Sequence, residues 1–438
     1  MGMKATVALL NKKSGNANLS SYNEQHCARL GDITVLFEGR IYSLTQCASG
    51  ADIIAEKLKQ EDVVTASESF LKTVEGDFAF IIAESDYFIA GRDPVGVQPL
   101  YFGENGTVAA LASNKKALWK LGIDDVRSFP PGHVARVSRE GFRFKPVKTL
   151  AYPQPRSVAM SEAADTVEKL LEGAILRRVS GLKEVAVAFS GGLDSSVVAF
   201  LANKCHVNVH LIHVSLENRP ETEGAKKAAE ALNLPLHTYL FKEADVRNVV
   251  AKVVKLIEEP DPVKASIGVP FYWTAEKTAK AGFRVLLAGQ GADELFGGYQ
   301  RYINEYILYG AEAARKVMFD DVVGIHESNI ERDVKICGFH DVELRLPFAS
   351  YTLAEFAVAL PVELKIERNH VSLRKIVLRK TAENIGLPPS IREKPKKAVQ
   401  YATGINGVVK KLAKKNKATV AEYINKLFLN QMTEKTQI

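Results

Sequence analysis

The chain has 438 residues, which is enough for two or three domains that each have their own core. Its 46% apolar and 25% charged residues are typical of a soluble enzyme, and a net charge of +7 allows anionic ligands without indicating nucleic acid. The absence of a membrane-length apolar run, a signal peptide or a C-x-x-C pair among its four cysteines predicts a cytoplasmic protein with reduced thiols.

The first part of the chain has the pattern of an all-hairpin region. Short apolar runs alternate with Gly, Asn, Asp and Pro, and two stretches have helical spacing. The predicted strands are Lys4–Leu10, Ile33–Phe37, Phe78–Ala83, Tyr87–Gly91, Val108–Ala112 and His133–Val137, and the predicted helices are Ala51–Lys59 and Ser67–Leu71. The segment Tyr152-Pro-Gln-Pro-Arg156 interrupts this pattern. We therefore predict one domain over 1–150 and a second over 160–438.

The second part alternates between helices and strands. The predicted order is helix Asp165–Val179, strand Glu184–Phe189, strand Val207–Leu216, helix Glu221–Leu232 and strand Val285–Ala288, with a helical region from about residue 305 onward. This alternation predicts a doubly wound parallel sheet whose ligands bind at the carboxyl ends of the strands.

The most informative segment is the loop Ser190-Gly-Gly-Leu-Asp-Ser-Ser196, which follows an apolar strand and opens a helix. Glycines and a helix N-terminus direct backbone N–H groups at one point, where phosphate oxygens are bound, and Asp194 is placed to hold Mg²⁺. It is neither a Walker loop nor a dinucleotide fingerprint. It resembles the pyrophosphate loop of ATP pyrophosphatases, which split ATP into AMP and pyrophosphate while adenylating a second substrate. The predicted ATP-binding residues are Ser190, Gly191, Gly192, Leu193, Asp194, Ser195, Ser196, Val214 and Gly289.

A second glycine-rich loop follows the strand at Val285, in the run Gly289-Gln-Gly-Ala-Asp-Glu294. We expect Asp293 to share Mg²⁺ with Asp194, because a leaving pyrophosphate needs its charge neutralised. Acidic residues in the first turn of a helix also complement the helix dipole, so this sequence is equally consistent with a helix start that binds no metal.

The two loops, in this order, resemble the synthetase domain of the asparagine synthetase family. The resemblance continues through Arg332-Asp333, through Glu343-Leu-Arg-Leu-Pro-Phe348 and through Lys394-Pro-Lys-Lys-Ala-Val399. It implies catalytic roles for Lys396, which would steady the adenylate, for Arg345, and for Gln290 beside the incoming amine. The lysines near 396 also fit a solvated basic turn.

The N-terminal part resembles the glutaminase half of the same family, an Ntn-hydrolase-like αββα sandwich, through Gly76–Phe80 and Gly91–Tyr101. The family's nucleophile is an N-terminal cysteine, but the chain has Gly2 there, and Cys27 and Cys47 are internal thiols without a terminal amine. Glu38 replaces the asparagine of the oxyanion hole, where a carboxylate would repel the oxyanion. The glutamine-clamping arginine segment is missing too, so we expect no glutamine hydrolysis.

The synthetase half also departs from the family pattern. Gln290 stands where the family has a glutamate, and an amide cannot act as a base. Ser266 stands where an arginine is expected, and Lys264 is the nearby candidate to replace its charge. Adenylation is expected to persist, while the identity of the product stays open.

These features predict an enzyme that uses ATP and Mg²⁺ to adenylate a carboxylate such as aspartate for attack by ammonia or another amine, without its own glutaminase activity. Its partners would be small molecules; a separate glutaminase and a homodimer are left open. A nucleoside- or RNA-modifying ATP pyrophosphatase and a degenerate scaffold that still binds ATP are the alternatives. His210 and His213 are expected on opposite faces of a strand, and Lys410–Lys417 on a solvated helix face rather than on RNA.

Overall fold

A computed structural model of the chain describes residues 6–21, 26–42, 49–367, 374–395 and 403–433. The chain divides into two compact units, Met1–Leu150 and Ala151–Ile438. Within the described ranges, no helix is long and apolar enough to cross a membrane.

The first unit is built on two antiparallel sheets in its described part. Its strands are β1 (Val7–Asn11), β2 (Ala17–Ser21), β3 (Cys27–Leu30), β4 (Ile33–Ile41), β5 (Gly76–Ala83), β6 (Phe88–Arg92), β7 (Tyr101–Glu104), β8 (Val108–Ala112), β9 (Arg127–Ser128), β10 (His133–Ser138) and β11 (Gly141–Pro146). The five-stranded sheet has the order β2-β1-β8-β7-β9, and the six-stranded sheet has the order β11-β10-β6-β5-β4-β3.

Helices cover the outer faces of these sheets. Helix α1 (Gly50–Leu58) begins with a capping box between Ser49 and Asp52, and α2 (Val63–Thr73) is capped by Asp62. Their apolar faces pack with Phe78 and Phe80 of β5, and the short α3 (Lys115–Trp119) packs on the other sheet. Buried residues from both sheets form one core between them. The predicted αββα sandwich is confirmed.

The second unit contains a five-stranded parallel sheet of order β14-β13-β12-β15-β16. Its strands are β12 (Glu184–Ala188), β13 (Asn208–Leu216), β14 (Leu236–Phe241), β15 (Val285–Leu287) and β16 (Glu343–Arg345). From β12 the chain adds β13 and β14 on one side of the sheet, and it then adds β15 and β16 on the other side. The boundary between β12 and β15 is therefore the switch point at which doubly wound sheets bind ligands. Both glycine-rich loops leave the sheet there, as the predicted doubly wound sheet requires.

The helices of the second unit follow the strands along the chain. They are α4 (Met160–Val179), α5 (Leu193–Lys204), α6 (Pro220–Leu232), α7 (Glu243–Ile257), α8 (Pro262–Lys280), α9 (Ala292–Phe296), α10 (Gln300–Tyr309), α11 (Ala311–Val323), α12 (Glu331–Phe339), α13 (Tyr351–Val358), α14 (Ile376–Asn384), α15 (Pro389–Arg392), α16 (Ile405–Lys415) and α17 (Val420–Thr433). A π-helical turn, His326–Ile330, precedes α12. In its described part, the region after residue 305 has helices as its main elements, as predicted; the strand β16 is the exception, and at three residues it is too short to show a period.

Candidate active site

The first loop turns sharply from β12 into α5. Gly191 has a φ of +67°, and a Cβ built on it would lie 2.7 Å from Cα of Ala225, so only glycine fits. Ser195 closes the loop, because its hydroxyl accepts from the Ser190 backbone at 3.3 Å and lies 3.3 Å from the Gly192 carbonyl. The loop and the N-terminus of α5 thereby form the backbone arrangement expected of an anion site.

The second loop lies directly against the first. A Cβ built on Gly289 would lie 3.0 Å from Cβ of Asp194, so the absence of a side chain allows this close approach. Gly291 has a φ of +96° and starts α9, which carries Asp293 in its first turn. Two loops that are far apart in sequence therefore place their carboxylates side by side.

Lys375 joins the two predicted metal ligands. Its Nζ lies 2.6 and 2.7 Å from the two carboxylate oxygens of Asp194 and 2.7 Å from Oδ1 of Asp293. The lysine side chain is only 2% exposed, and its backbone has a φ of +64° just before α14. Sequence reasoning missed this residue, since no local motif marks it.

A second lysine reaches the first loop from a different segment. Lys394 donates from Nζ to the carbonyl of Gly191 at 3.1 Å. Arg379 on α14 fixes this segment, because its guanidinium donates to the carbonyls of Arg392 and Lys394. Lys396, the predicted catalytic lysine, lies outside the described residues.

Gln290 is held by a buried ion pair. Its amide nitrogen donates to Oδ2 of Asp333 at 2.9 Å, and Arg332 donates to both oxygens of the same carboxylate at 2.7 and 2.9 Å. Asp333 is fully buried and Arg332 is 4% exposed. The guanidinium also donates to Asn329 at 3.3 Å, in the π-helical turn.

The hydrogen bonds continue from Asn329 to the far side of the second loop. Asn329 donates to Glu294 at 2.7 Å, and the Tyr299 hydroxyl donates to the same oxygen at 2.6 Å. Burial, assisted by the neighbouring charge of Asp293, raises the pKa of Glu294. Burial also raises the pKa of Tyr299, so both groups favour their protonated forms. One polar network thus supports both ends of the loop that carries Asp293.

Arg345 and Val214 are two further predicted site residues, and both are buried. Arg345 is 2% exposed, and its guanidinium donates to Glu343 and to the carbonyl of Arg178 at the end of α4. These contacts join β16 to the end of α4, and the catalytic role of Arg345 stays a prediction. Val214 is buried near the carboxyl end of β13, so its backbone is the part available to contact a nucleotide.

Ser266 stands where an arginine is expected, and Lys264 is the candidate to replace its charge. Both side chains contact other groups of the protein. The buried Ser266 hydroxyl donates to the carbonyl of Pro262 at 2.8 Å. Lys264, the expected replacement for the arginine charge, instead forms an ion pair with Glu259.

The histidines of β13 make separate contacts. His210 lies 3.2 Å from a ring nitrogen of His237, whereas His213 contacts the Phe189 carbonyl and Thr222. Burial lowers the pKa of His213. No group of three or more metal-ligating side chains occurs in the described part of the chain.

The first unit holds a small polar cluster at the start of β1. The Thr6 hydroxyl donates to Glu38, and Gln98 donates to the other carboxylate oxygen at 3.4 Å. Burial raises the pKa of Glu38 despite these hydrogen bonds. Cys27 is half-buried on β3, while Gly2 and Cys47 lie outside the described residues.

The parallel sheet and its two paired loops define a PP-loop ATP pyrophosphatase fold, joined in one chain to an amidotransferase-like Ntn fold. The chain matches the family model for asparagine synthase over residues 166–314 and 304–437, and that of the glutamine amidotransferase domain over 20–120. It belongs to the asparagine synthetase family, and it is therefore an enzyme of the carbon–nitrogen ligase class.

Curated relatives agree with this assignment. A putative glutamine-hydrolysing asparagine synthetase 1 of Methanocaldococcus jannaschii is 32% identical, with 82% of this chain and 75% of the relative covered. Asparagine synthetase 2 of Arabidopsis thaliana is 27% identical, with 91% and 70% covered. Among solved structures, NMN synthetase from Francisella tularensis aligns at a TM-score of 0.30 and 13% identity, over 64% of this chain and 98% of that one.

Proposed function

We propose that this enzyme cleaves ATP to AMP and pyrophosphate, adenylates a carboxylate such as aspartate, and forms an amide or amidine bond by attack of ammonia or another amine. One observation carries the proposal. Asp194 and Asp293 both pair with the ammonium group of Lys375, at the switch point of the sheet. A backbone anion site and a paired carboxylate site adjoin there, which is the combination that a polyphosphate with its cation needs.

The donor set fits Mg²⁺. Asp194 and Asp293 supply hard carboxylate oxygens, and the position between them already holds a cation. When bound there, Mg²⁺ would neutralise charge on the phosphates and on the leaving pyrophosphate. The N–H groups of the first loop and Lys394 would hold the phosphate oxygens, as the contact of Lys394 with that loop supports.

Gln290 is proposed to orient the incoming amine. Asp333 is paired with Arg332 and so acts as an acceptor only, which assigns the amide N–H₂ of Gln290 to Asp333. The amide oxygen is then the group available to accept an N–H from the nucleophile. Lys396 keeps its proposed role of steadying the developing charge.

We further propose that glutamine is not the nitrogen donor. The hydroxyl of Thr6, at the start of β1, is the group that contacts Glu38, and it belongs to an internal residue with no terminal amine to serve as base. A carboxylate at position 38 opposes an oxyanion. Free ammonia, another amine or a separate glutaminase would supply the nitrogen.

The proposal is tested by incubating the protein with ATP, Mg²⁺, aspartate and ammonia and separating the nucleotides. We expect AMP and pyrophosphate, and we expect Asp194→Asn to abolish them. Asp320→Asn is the matched control, because Asp320 is 56% exposed and pairs only with a surface lysine in the described contacts. Formation of ADP and phosphate would contradict the pyrophosphatase chemistry, and absence of turnover with a panel of carboxylates and amines would favour a scaffold.

The proposed lack of glutaminase activity is tested separately by measuring glutamate release from glutamine. We expect none from the unmodified protein and none from Gly2→Cys, because a thiol alone restores neither the oxyanion site nor the glutamine clamp. Glutamate release by the unmodified protein would refute this part and leave the synthetase part standing.

A further inference from the structure

Lys375 occupies the place that a metal would take between the two loop carboxylates. Its ammonium group is within 2.7 Å of three carboxylate oxygens, and the side chain is 2% exposed. Mg²⁺ binds carboxylate oxygens at about 2.0–2.1 Å, so it would have to lie in contact with this ammonium group. The two cations exclude each other from the position.

The structure also restricts where the lysine stem runs. A Cβ built on Gly298 would lie 2.5 Å from Cε of Lys375 and 1.8 Å from Oδ1 of Asp293. The absence of a side chain at Gly298 is therefore required for the lysine to reach both carboxylates. The bridge is a packed feature of the fold and not a surface ion pair.

Further positive charge surrounds the bridge. Arg374 interacts electrostatically with Asp293, and Arg379 interacts with Asp194, while Lys394 contacts the first loop. A divalent cation that binds without a nucleotide would add to this positive charge. It would also take from the buried Lys375 the two carboxylates with which the lysine pairs. A polyphosphate brings oxygens that an ammonium group binds well, so it offers Lys375 new partners as the carboxylates take the metal.

We infer that Lys375 gates the metal site, holding Asp194 and Asp293 in the nucleotide-free enzyme and releasing them only when a polyphosphate arrives with its metal. Divalent metal then binds together with the nucleotide and not before it. This inference rests on the proposed Mg²⁺ site and adds an order of binding to it.

The test measures Mn²⁺ binding to the full chain by electron paramagnetic resonance, with and without a non-hydrolysable α,β-methylene ATP analogue. For the unmodified protein, we expect the analogue to tighten Mn²⁺ binding by at least about tenfold, because the ammonium and the metal compete for the same oxygens. Lys375→Met should bind Mn²⁺ without the analogue at least about tenfold more tightly than the unmodified protein does. Lys375→Arg keeps the cation and should restore the exclusion.

Lys380→Met is the matched control, because Lys380 lies on α14, is 41% exposed and pairs with Glu383. It should bind Mn²⁺ as the unmodified protein does. Equal Mn²⁺ binding by the unmodified protein with and without the analogue would overturn the gate while leaving the metal site intact, and this measurement needs no variant. Failure of the unmodified protein to bind Mn²⁺ even with the analogue would remove the proposed metal site and the gate with it.

Discussion

Gln290 donates its amide N–H to the buried Asp333 at 2.9 Å, and this contact fixes which end of the Gln290 amide faces Asp333. Arg332 donates to both carboxylate oxygens of Asp333, so this carboxylate serves as a hydrogen-bond acceptor for Gln290 as well. The buried ion pair of Asp333 and Arg332 therefore orients the side chain of Gln290.

The contact predicts strong coupling between positions 290 and 333. Gln290→Glu sets two carboxylates against each other, and Asp333→Asn leaves Arg332 buried without its full counter-charge, so each single change should destabilise. The double variant has again one carboxylate and one amide beside Arg332. We expect it to be more stable than the sum of the single changes by about 0.5–3 kcal/mol.

Urea unfolding of the four proteins measures this coupling. Additive free energies of unfolding would show that the two side chains do not interact in solution. Lys380→Met, on the surface of α14, combined with Gln290→Glu should behave additively and serves as the reference pair.

Much of the fold could be predicted from sequence because its elements carry strong local signals. The strand β12 is apolar after its first residue and β13 is apolar at five of its nine positions, and their predicted bounds differ from the observed ones by one residue. The strand β14 was missed because its side chains are only half-buried and it lacks an apolar run. In the first unit β11 was missed for the same reason, as an exposed edge with charged residues.

The site could be predicted only where a loop motif marks it. Asp194 and Asp293 follow glycines at the ends of apolar strands, and the structure brings them together. Lys375 has no such mark, and its contact with Asp194 spans 181 positions in the sequence. Only the packing of α14 beside both loops reveals it. The family resemblance marks Asp333, but its contact with Gln290 spans 43 positions and is visible only in the structure.

Gly298 offers a test of the carboxylate pair that leaves every charge in place. In Gly298→Ala the new Cβ would overlap Oδ1 of Asp293 and crowd the Lys375 stem, so both must move. We expect the AMP-forming rate to fall by about 10²-fold, because misplacement by an ångström is enough for such a loss.

Gly407→Ala is the matched control, since Gly407 lies in α16 and a Cβ there meets nothing within 4 Å. It should leave the rate unchanged and raise the free energy of unfolding by about 0.5–1 kcal/mol. An unaltered rate in Gly298→Ala would contradict a role for this geometry.

Lys365 predicts a pH dependence of stability in the second unit. Burial, with the like charge of Arg315, lowers its pKa from 10.5 to about 7. Between these values the unfolded chain binds a proton that the folded chain has lost, so the free energy of unfolding rises with pH. Lys365→Met removes this dependence, so its stability advantage should be largest below about pH 7 and shrink toward about pH 9. Urea unfolding at both values, with the surface variant Lys380→Met as control, checks this; an advantage independent of pH would contradict it.

Glu38 gives the opposite dependence in the first unit. Burial raises its pKa above the ordinary value of 4.5, so the folded chain keeps a proton that the unfolded chain has lost. Stability is therefore highest below that value and falls as pH rises through the folded pKa, after which the cost of the buried charge is complete. Glu38→Gln keeps an acceptor for Thr6 and removes the charge, so it should stabilise at about pH 7 and have no advantage at about pH 4. Glu140→Gln, at a side chain that is 66% exposed, is the control and should change little. A loss of stability in Glu38→Gln at neutral pH would show that the carboxylate is compensated where it lies, and that the cluster around Thr6 favours negative charge.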